Sequence, residues 1–168
     1  IGLPNAGKSS LLASITNANP KIANYKFTTL NPNLGVARYD DKEITLADIP
    51  GLIEGAHEGA GLGIKFLKHI ERCKVLLHLI DISEEDLISV YKKIKFELST
   101  YDKNLLKKKE IIFFNKADLL DKKEIDKKLN EFKKKVKSNY EIISVFSNKD
   151  IQKIKKLLIK NAYMRAIF

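Results

Sequence analysis

Residues 2–9 read GLPNAGKS, and the reading of this stretch decides the fold. It spells G-x-x-x-x-G-K-S. Gly2 and Gly7 let the backbone bend where a Cβ would clash, so successive N–H groups can turn inward. A helix start attracts anions because its first N–H groups lack partners and its dipole is favourable. In such a loop Leu3, Pro4, Asn5 and Ala6 complete the cradle, Lys8 reaches the outer phosphates, and the Ser9 hydroxyl can sit beside Mg2+. Alone, the motif also fits a glycine turn capping a helix. A helix does follow, because Leu11, Leu12 and Ile15 share one face between Lys8 and Asn17.

Four further stretches fall in the order that a phosphate site needs. DIPG (Asp48, Ile49, Pro50, Gly51) follows a predicted strand. Its carboxylate can hold Mg2+ through water, and the Gly51 N–H can meet a terminal phosphate; a plain Pro-Gly turn is the other reading. NKAD (Asn115, Lys116, Ala117, Asp118) follows the predicted strand EIIFF. A carboxylate there can accept two hydrogen bonds from the N1–H and N2–H₂ edge of guanine. Adenine has no such donor pair, and a polar mismatch of this kind discriminates strongly. A helix cap would also favour Asn and Asp. SVF (Ser144, Val145, Phe146) ends another strand, and the Val145 N–H can bond guanine O6. FTTL (Phe27, Thr28, Thr29, Leu30), with Asn31 beyond it, places hydroxyls in a loop where one of them can complete a Mg2+ shell.

The surrounding rhythm alternates between strand and helix. Residues 18–33 carry two prolines and four asparagines and read as an irregular loop. LGVARYD and EITLAD read as strands around an Asp40-Asp41 turn. Residues 50–63 hold five glycines in fourteen positions and cannot be regular throughout. IKFLKHIERC reads as an amphipathic helix and KVLLHLIDI as a buried strand. Helices are predicted over Asp86–Thr100, Lys122–Lys137 and Asp150–Lys160, with strands EIIFFN and YEIISV between them. Strands alternating with helices predict a mostly parallel sheet covered on both faces, with one antiparallel edge.

The 168 residues suit one domain. No run of about 18 apolar residues is present, so no membrane-spanning helix is expected. Neither an initiator Met nor a signal-peptide pattern opens the chain. The lone Cys73 beside VLLHLI reads as a small buried hydrophobe. The net charge of +10 attracts anionic partners, yet only Arg38, Arg72 and Arg165 are arginine. Readers of phosphate and base lean on arginine, so solvated lysine faces are the first reading and a nucleic-acid groove the second.

Together GLPNAGKSS, YKFTTLNPNLGV, DIPGLIEGAHEGAGLG and NKAD resemble the G domain of the Obg GTPases. The resemblance covers nearly the whole chain and is densest from Gly2 to Ile82. It implies a P-loop G domain over 1–168, α/β, with a mostly parallel six-stranded sheet, one antiparallel edge strand and helices on both faces. It also implies that the strand before the phosphate loop lies upstream of Ile1, inside a longer protein. Loss of that central strand would remove several buried apolar side chains, each roughly 1.5–3 kcal/mol. The chain departs from the family pattern at Lys26, Ser10 and Val145, where Pro, Thr and Ala are common.

By the same resemblance, Ser9 and Thr29 are the Mg2+ ligands, with Asp48 acting through water. Lys8, Asn5, Thr29 and Gly51 form the catalytic set. The implied function is a Mg2+-dependent, slowly hydrolysing GTP switch in large ribosomal subunit assembly, with ribosomal RNA and protein as partners. The expected form is a monomer in the cytoplasm, or in an organelle matrix or stroma. Leu52 stands directly after Gly51, where many GTPases place a water-orienting Gln. Turnover on the order of 10⁻³ s⁻¹ or less follows, and a nucleotide sensor with negligible hydrolysis is the alternative. Asn5 makes K+ the candidate second cation, although it also suits a turn conformation. The glycines from 51 to 63 suit a switch ordered by a γ-phosphate.

Overall fold

The computed structural model describes residues 1–16, 21–22, 33–48 and 70–163. Within them the chain alternates strand and helix as the hydrophobic rhythm predicts. Strands β1 (Lys21–Ile22), β2 (Asn33–Tyr39) and β3 (Lys42–Asp48) form an antiparallel group. Strands β4 (Val75–Asp81), β5 (Lys109–Asn115) and β6 (Tyr140–Ile142) form a parallel one. The helices are α1 (Lys8–Ile15), α2 (Leu87–Tyr101), α3 (Lys122–Lys135) and α4 (Asn148–Tyr163).

The β2–β3 hairpin turns at Asp40-Asp41, with Asp40 at φ 52 and Tyr39 opposite Lys42. Asp tolerates that left-handed conformation better than most residues. The 18–33 stretch contains one short strand that the sequence reading missed. Lys21 and Ile22 pair with Leu34 and Asn33. A two-residue pairing has no periodicity to betray it. Strand β6 ends earlier than YEIISV suggests, because the backbone leaves the ladder to shape the loop Ser144–Phe146.

Strand β5 shows how helices come to lie on both faces. Ile111 and Phe113 point into one cluster with Leu11 and Ile15 of α1 and Ile151, Ile154 and Leu158 of α4. Ile112 and Phe114 point the other way, towards Leu87 of α2 and Leu129 and Phe132 of α3. A run of apolar residues buried on both faces is what a central parallel strand requires. The helix starts are well defined. Asp86 accepts from the Ile88 and Ser89 N–H groups at 3.0 Å each. Asp121 and Glu124 form a reciprocal capping box on α3.

Among the described residues the sheet is in two parts, with the gap beside β4 where the strand expected upstream of Ile1 would lie. No ladder joins β3 to β4. A cleft of about 470 Å³ separates them, walled by Ile44, Leu46 and Ala47 on one side and Val75 and Leu77 on the other. Ile1 sits at the cleft and is paired with β4 in the parallel sense. Its N donates to the Leu77 carbonyl at 2.7 Å and its carbonyl accepts from the Leu79 N–H at 2.9 Å. The two strand groups still share one core, in which Ala37 of β2, Leu79 of β4 and Phe113 of β5 belong to the same cluster. Among the described residues, no helix is long and apolar enough to cross a membrane.

Candidate nucleotide site

Gly2 to Ser9 lies at the C-terminal edge of the parallel strands, between Ile1 and α1. Gly7 precedes α1 at φ 93, and a Cβ there would collide with Nδ2 of Asn115. Gly2 is at φ 154, and a Cβ there would strike the Leu79 carbonyl. Both positions therefore need glycine for space as well as for dihedral angle. Asn5 is left-handed at φ 63. No acidic side chain caps the first turn of α1, so its dipole and free N–H groups remain available to an anion.

Lys8 folds back over the loop. Its Nζ donates to the carbonyls of Gly2 and Leu3, each at 2.9 Å. Burial pulls its pKa below the ordinary value of 10.5, against the opposing pull of Asp48. The Ser9 Oγ donates to Asp48 Oδ2 at 2.6 Å. The other carboxylate oxygen, Oδ1, is buried and has no hydrogen-bond partner among the described residues. A hydroxyl and a buried carboxylate with a spare lone pair are hard oxygen donors that fit Mg2+.

The other end of the site is built from the loops after β5 and β6. Asn115 is fully buried at the end of β5. Its Nδ2 donates to the Ala6 carbonyl at 3.0 Å, and its Oδ1 accepts from the Val145 N–H at 3.3 Å. One side chain thus ties the loop before α1 to the loops after β5 and β6. Lys116 is left-handed at φ 65, and Ala117–Leu119 makes a single 3-10 turn. Asp150 holds the last loop by accepting from the Ser144 N–H at 3.0 Å.

One open cavity of about 480 Å³ gathers these parts. Its walls include Asn5, Gly7, Lys8 and Ser9 from the first loop and α1, and Lys116, Asp118, Val145 and Phe146 from the loops after β5 and β6. Phe146 is 82% exposed and Leu119 60% exposed at its mouth. Ser10 and Leu119 also line it. Sequence reading missed Leu119, because an apolar residue after NKAD resembles the start of a helix face. The Val145 N–H, expected to meet guanine O6, is engaged with Asn115 instead; that bond is long and would have to open. Phe27, Thr28, Thr29, Leu30, Asn31, Ile49, Pro50, Gly51 and Leu52 lie outside the described residues.

A glycine-bent loop leading into α1 on a mixed α/β core has the form of a P-loop domain of the G-protein class. Residues 1–116 match the family described as 50S ribosome-binding GTPase. The chain is 66% identical over 159 residues to GTPase Obg of Pelagibacter ubique, covering 95% of this chain and 49% of that protein. It is 54% identical over 160 residues to GTPase Obg of Rickettsia felis, covering 95% and 48%. Its fold resembles Era of Aquifex aeolicus bound to GDP.AlF4-, at TM-score 0.69 and 24% identity over 95% of this chain and 54% of that one. Elongation factor SelB of Methanococcus maripaludis gives TM-score 0.69 at 18% identity, over 100% of this chain and 34% of that one. The chain belongs to the 50S ribosome-binding GTPase family, as a G domain of the Obg type. It spans about half the length of the curated relatives it matches. The expected resemblance and fold class are borne out.

Proposed function

We propose that this chain binds guanine nucleotides and slowly hydrolyses GTP, as the switch domain of a protein acting in large ribosomal subunit assembly. One observation carries the reading. A single cavity is lined by Gly7, Lys8 and Ser9 together with Asp118, with Asn115 bonded to the Ala6 carbonyl and the Val145 N–H. Asp118 accepts the paired donors of the guanine edge. Lys8 leaves the Gly2 and Leu3 carbonyls for the β- and γ-phosphates. Ser9, Asp48 and Thr29 would hold Mg2+, which when bound neutralises charge on the transferred phosphoryl group. The Gly51 N–H donates to the γ-phosphate. Leu52 has no polar atom for orienting water, so turnover is slow unless a partner or cation assists. Asn5 is the side chain proposed to hold K+, and equal turnover in KCl and NaCl at matched ionic strength would remove that role.

Binding of a fluorescent GDP analogue tests the reading, with Asp118→Asn as its control. The variant should lose guanine preference and gain xanthine nucleotides. An unchanged preference would refute the base assignment. The family's description supports a ribosomal partner, and lysine clusters at Lys107–Lys109 and Lys133–Lys135 suit RNA. Single-turnover hydrolysis with and without large subunits should show acceleration. Leu52 favours a second reading, a nucleotide sensor without meaningful hydrolysis, and no turnover in either condition would select it. The protein is taken to be a monomer of the cytoplasm or of an organelle matrix or stroma. The β3–β4 cleft supports one further part of the proposal: residues preceding Ile1 continue its pairing along β4 and complete the G domain.

A further inference from the structure

The site contains a side chain that no motif assigns. Asp81 is the last residue of β4 and stands opposite Asn115 in the parallel register. The Ile82 N–H donates to the Asn115 carbonyl at 2.9 Å, so the two strand ends are locked together. Asp81 is buried, and both of its carboxylate oxygens are engaged. Oδ1 accepts from the Ser83 N–H at 2.9 Å and from the Ser83 Oγ at 2.7 Å. Oδ2 pairs with Lys116 Nζ at 2.5 Å. Burial alone would raise the carboxyl pKa; the hydrogen bonds from Lys116 and Ser83 outweigh it and hold the group below 3.8. The carboxylate is thus ionised throughout the working pH range.

Lys116 lines the same cavity as Gly7, Asp118 and Phe146. Its backbone is held left-handed by bonds on either side. The Ala117 N–H donates to the Ile143 carbonyl at 3.1 Å and the Leu119 N–H to the Lys116 carbonyl at 3.0 Å. The remaining freedom is in the long lysine stem. An unanchored lysine samples many rotamers, and each one stilled on binding lowers affinity. Asp81 removes that freedom before the ligand arrives.

We propose that Asp81, oriented by Ser83, is a positioning residue for nucleotide binding: it anchors Lys116 by its ammonium so that the lysine stem forms a preset wall of the cavity. This rests on the guanine-nucleotide reading above. The sequence signal is the short D-x-S at a strand end, Asp81 to Ser83, which resembles a simple turn.

The test is a double-mutant cycle on GDP affinity in the intact protein. Asp81→Asn keeps the shape and the Ser83 contacts while removing the charge. It should weaken GDP binding roughly 3- to 10-fold, the range expected for one immobilised side chain. Ser83→Ala should shift affinity in the same direction, by less. In a Lys116→Ala background, Asp81→Asn should have no further effect. A loss of equal size in that background would show a merely structural role and overturn the proposal. Unchanged affinity in Asp81→Asn would also overturn it, while leaving the nucleotide reading standing. Absence of GDP binding by the unaltered protein would sink the nucleotide reading, and this inference with it.

Discussion

Asn115 shows how a motif residue can brace the loops around it as well as belong to a nucleotide motif. The NKAD spacing marks it for the base, yet its buried amide spans the Ala6 carbonyl and the Val145 N–H. Gly7 is its complement, since any Cβ at Gly7 meets the amide nitrogen. Gly7→Ala should therefore cost about 1–3 kcal/mol of folding stability through strain at a positive φ, and should abolish GDP binding; urea denaturation and a nucleotide titration check both. His78 supplies a pH test. It is fully buried, with Nδ1 at 2.9 Å from Glu110 Oε1, and Lys95 and Tyr91 face the same carboxylate. Burial lowers the His78 pKa below 6.5, against the pull of Glu110. The unfolded chain then binds a proton below 6.5 that the folded chain refuses. The stabilising contribution is complete above that value and is lost as pH falls through the window beneath it. Denaturation between about pH 7.5 and 5.5 (roughly one unit either side of the ordinary histidine value) should show stability falling. His78→Gln should flatten that fall, the other histidines being common to both proteins.

Helix α3 is lysine-rich and its hydrophobic stripe is thin, with only Leu129 and Phe132 buried. Its start is correspondingly well capped. Asp121 accepts from the Glu124 N–H at 2.9 Å, and the Glu124 carboxylate accepts from the Asp121 N–H at 3.2 Å. Lys133, Lys134 and Lys135 sit in the last turn, where positive charge suits the dipole. Asp121→Ala should cost about 1 kcal/mol in thermal or urea unfolding and leave GDP affinity unaltered, because the cap lies outside the cavity walls. A change in affinity would show that α3 is coupled to the site. Periodicity was enough to place this helix, whereas β1 escaped it because two residues carry no pattern.

Across the domain, the cleft between β3 and β4 is the feature with the largest energetic consequence. Each buried apolar side chain contributes roughly 1.5–3 kcal/mol, against a typical net stability of about 5–15 kcal/mol. On the proposal that upstream residues fill the cleft, a version extended before Ile1 should unfold at markedly higher denaturant concentration than the 168-residue chain. Equal midpoints would refute it.

Local chemistry was readable wherever one residue type satisfies a local need. Glycine at positions 2 and 7, the lysine and serine after them, the aspartates starting helices and the apolar strand β5 all carry their physics in their own side chains and near neighbours. Contacts between distant segments were not readable. Nothing in the order of residues announces that Asn115 braces Ala6 across 109 positions or that Asp81 takes the Lys116 ammonium. Hydrogen bonds of that kind depend on which strand ends meet, and only packing of the whole chain decides it.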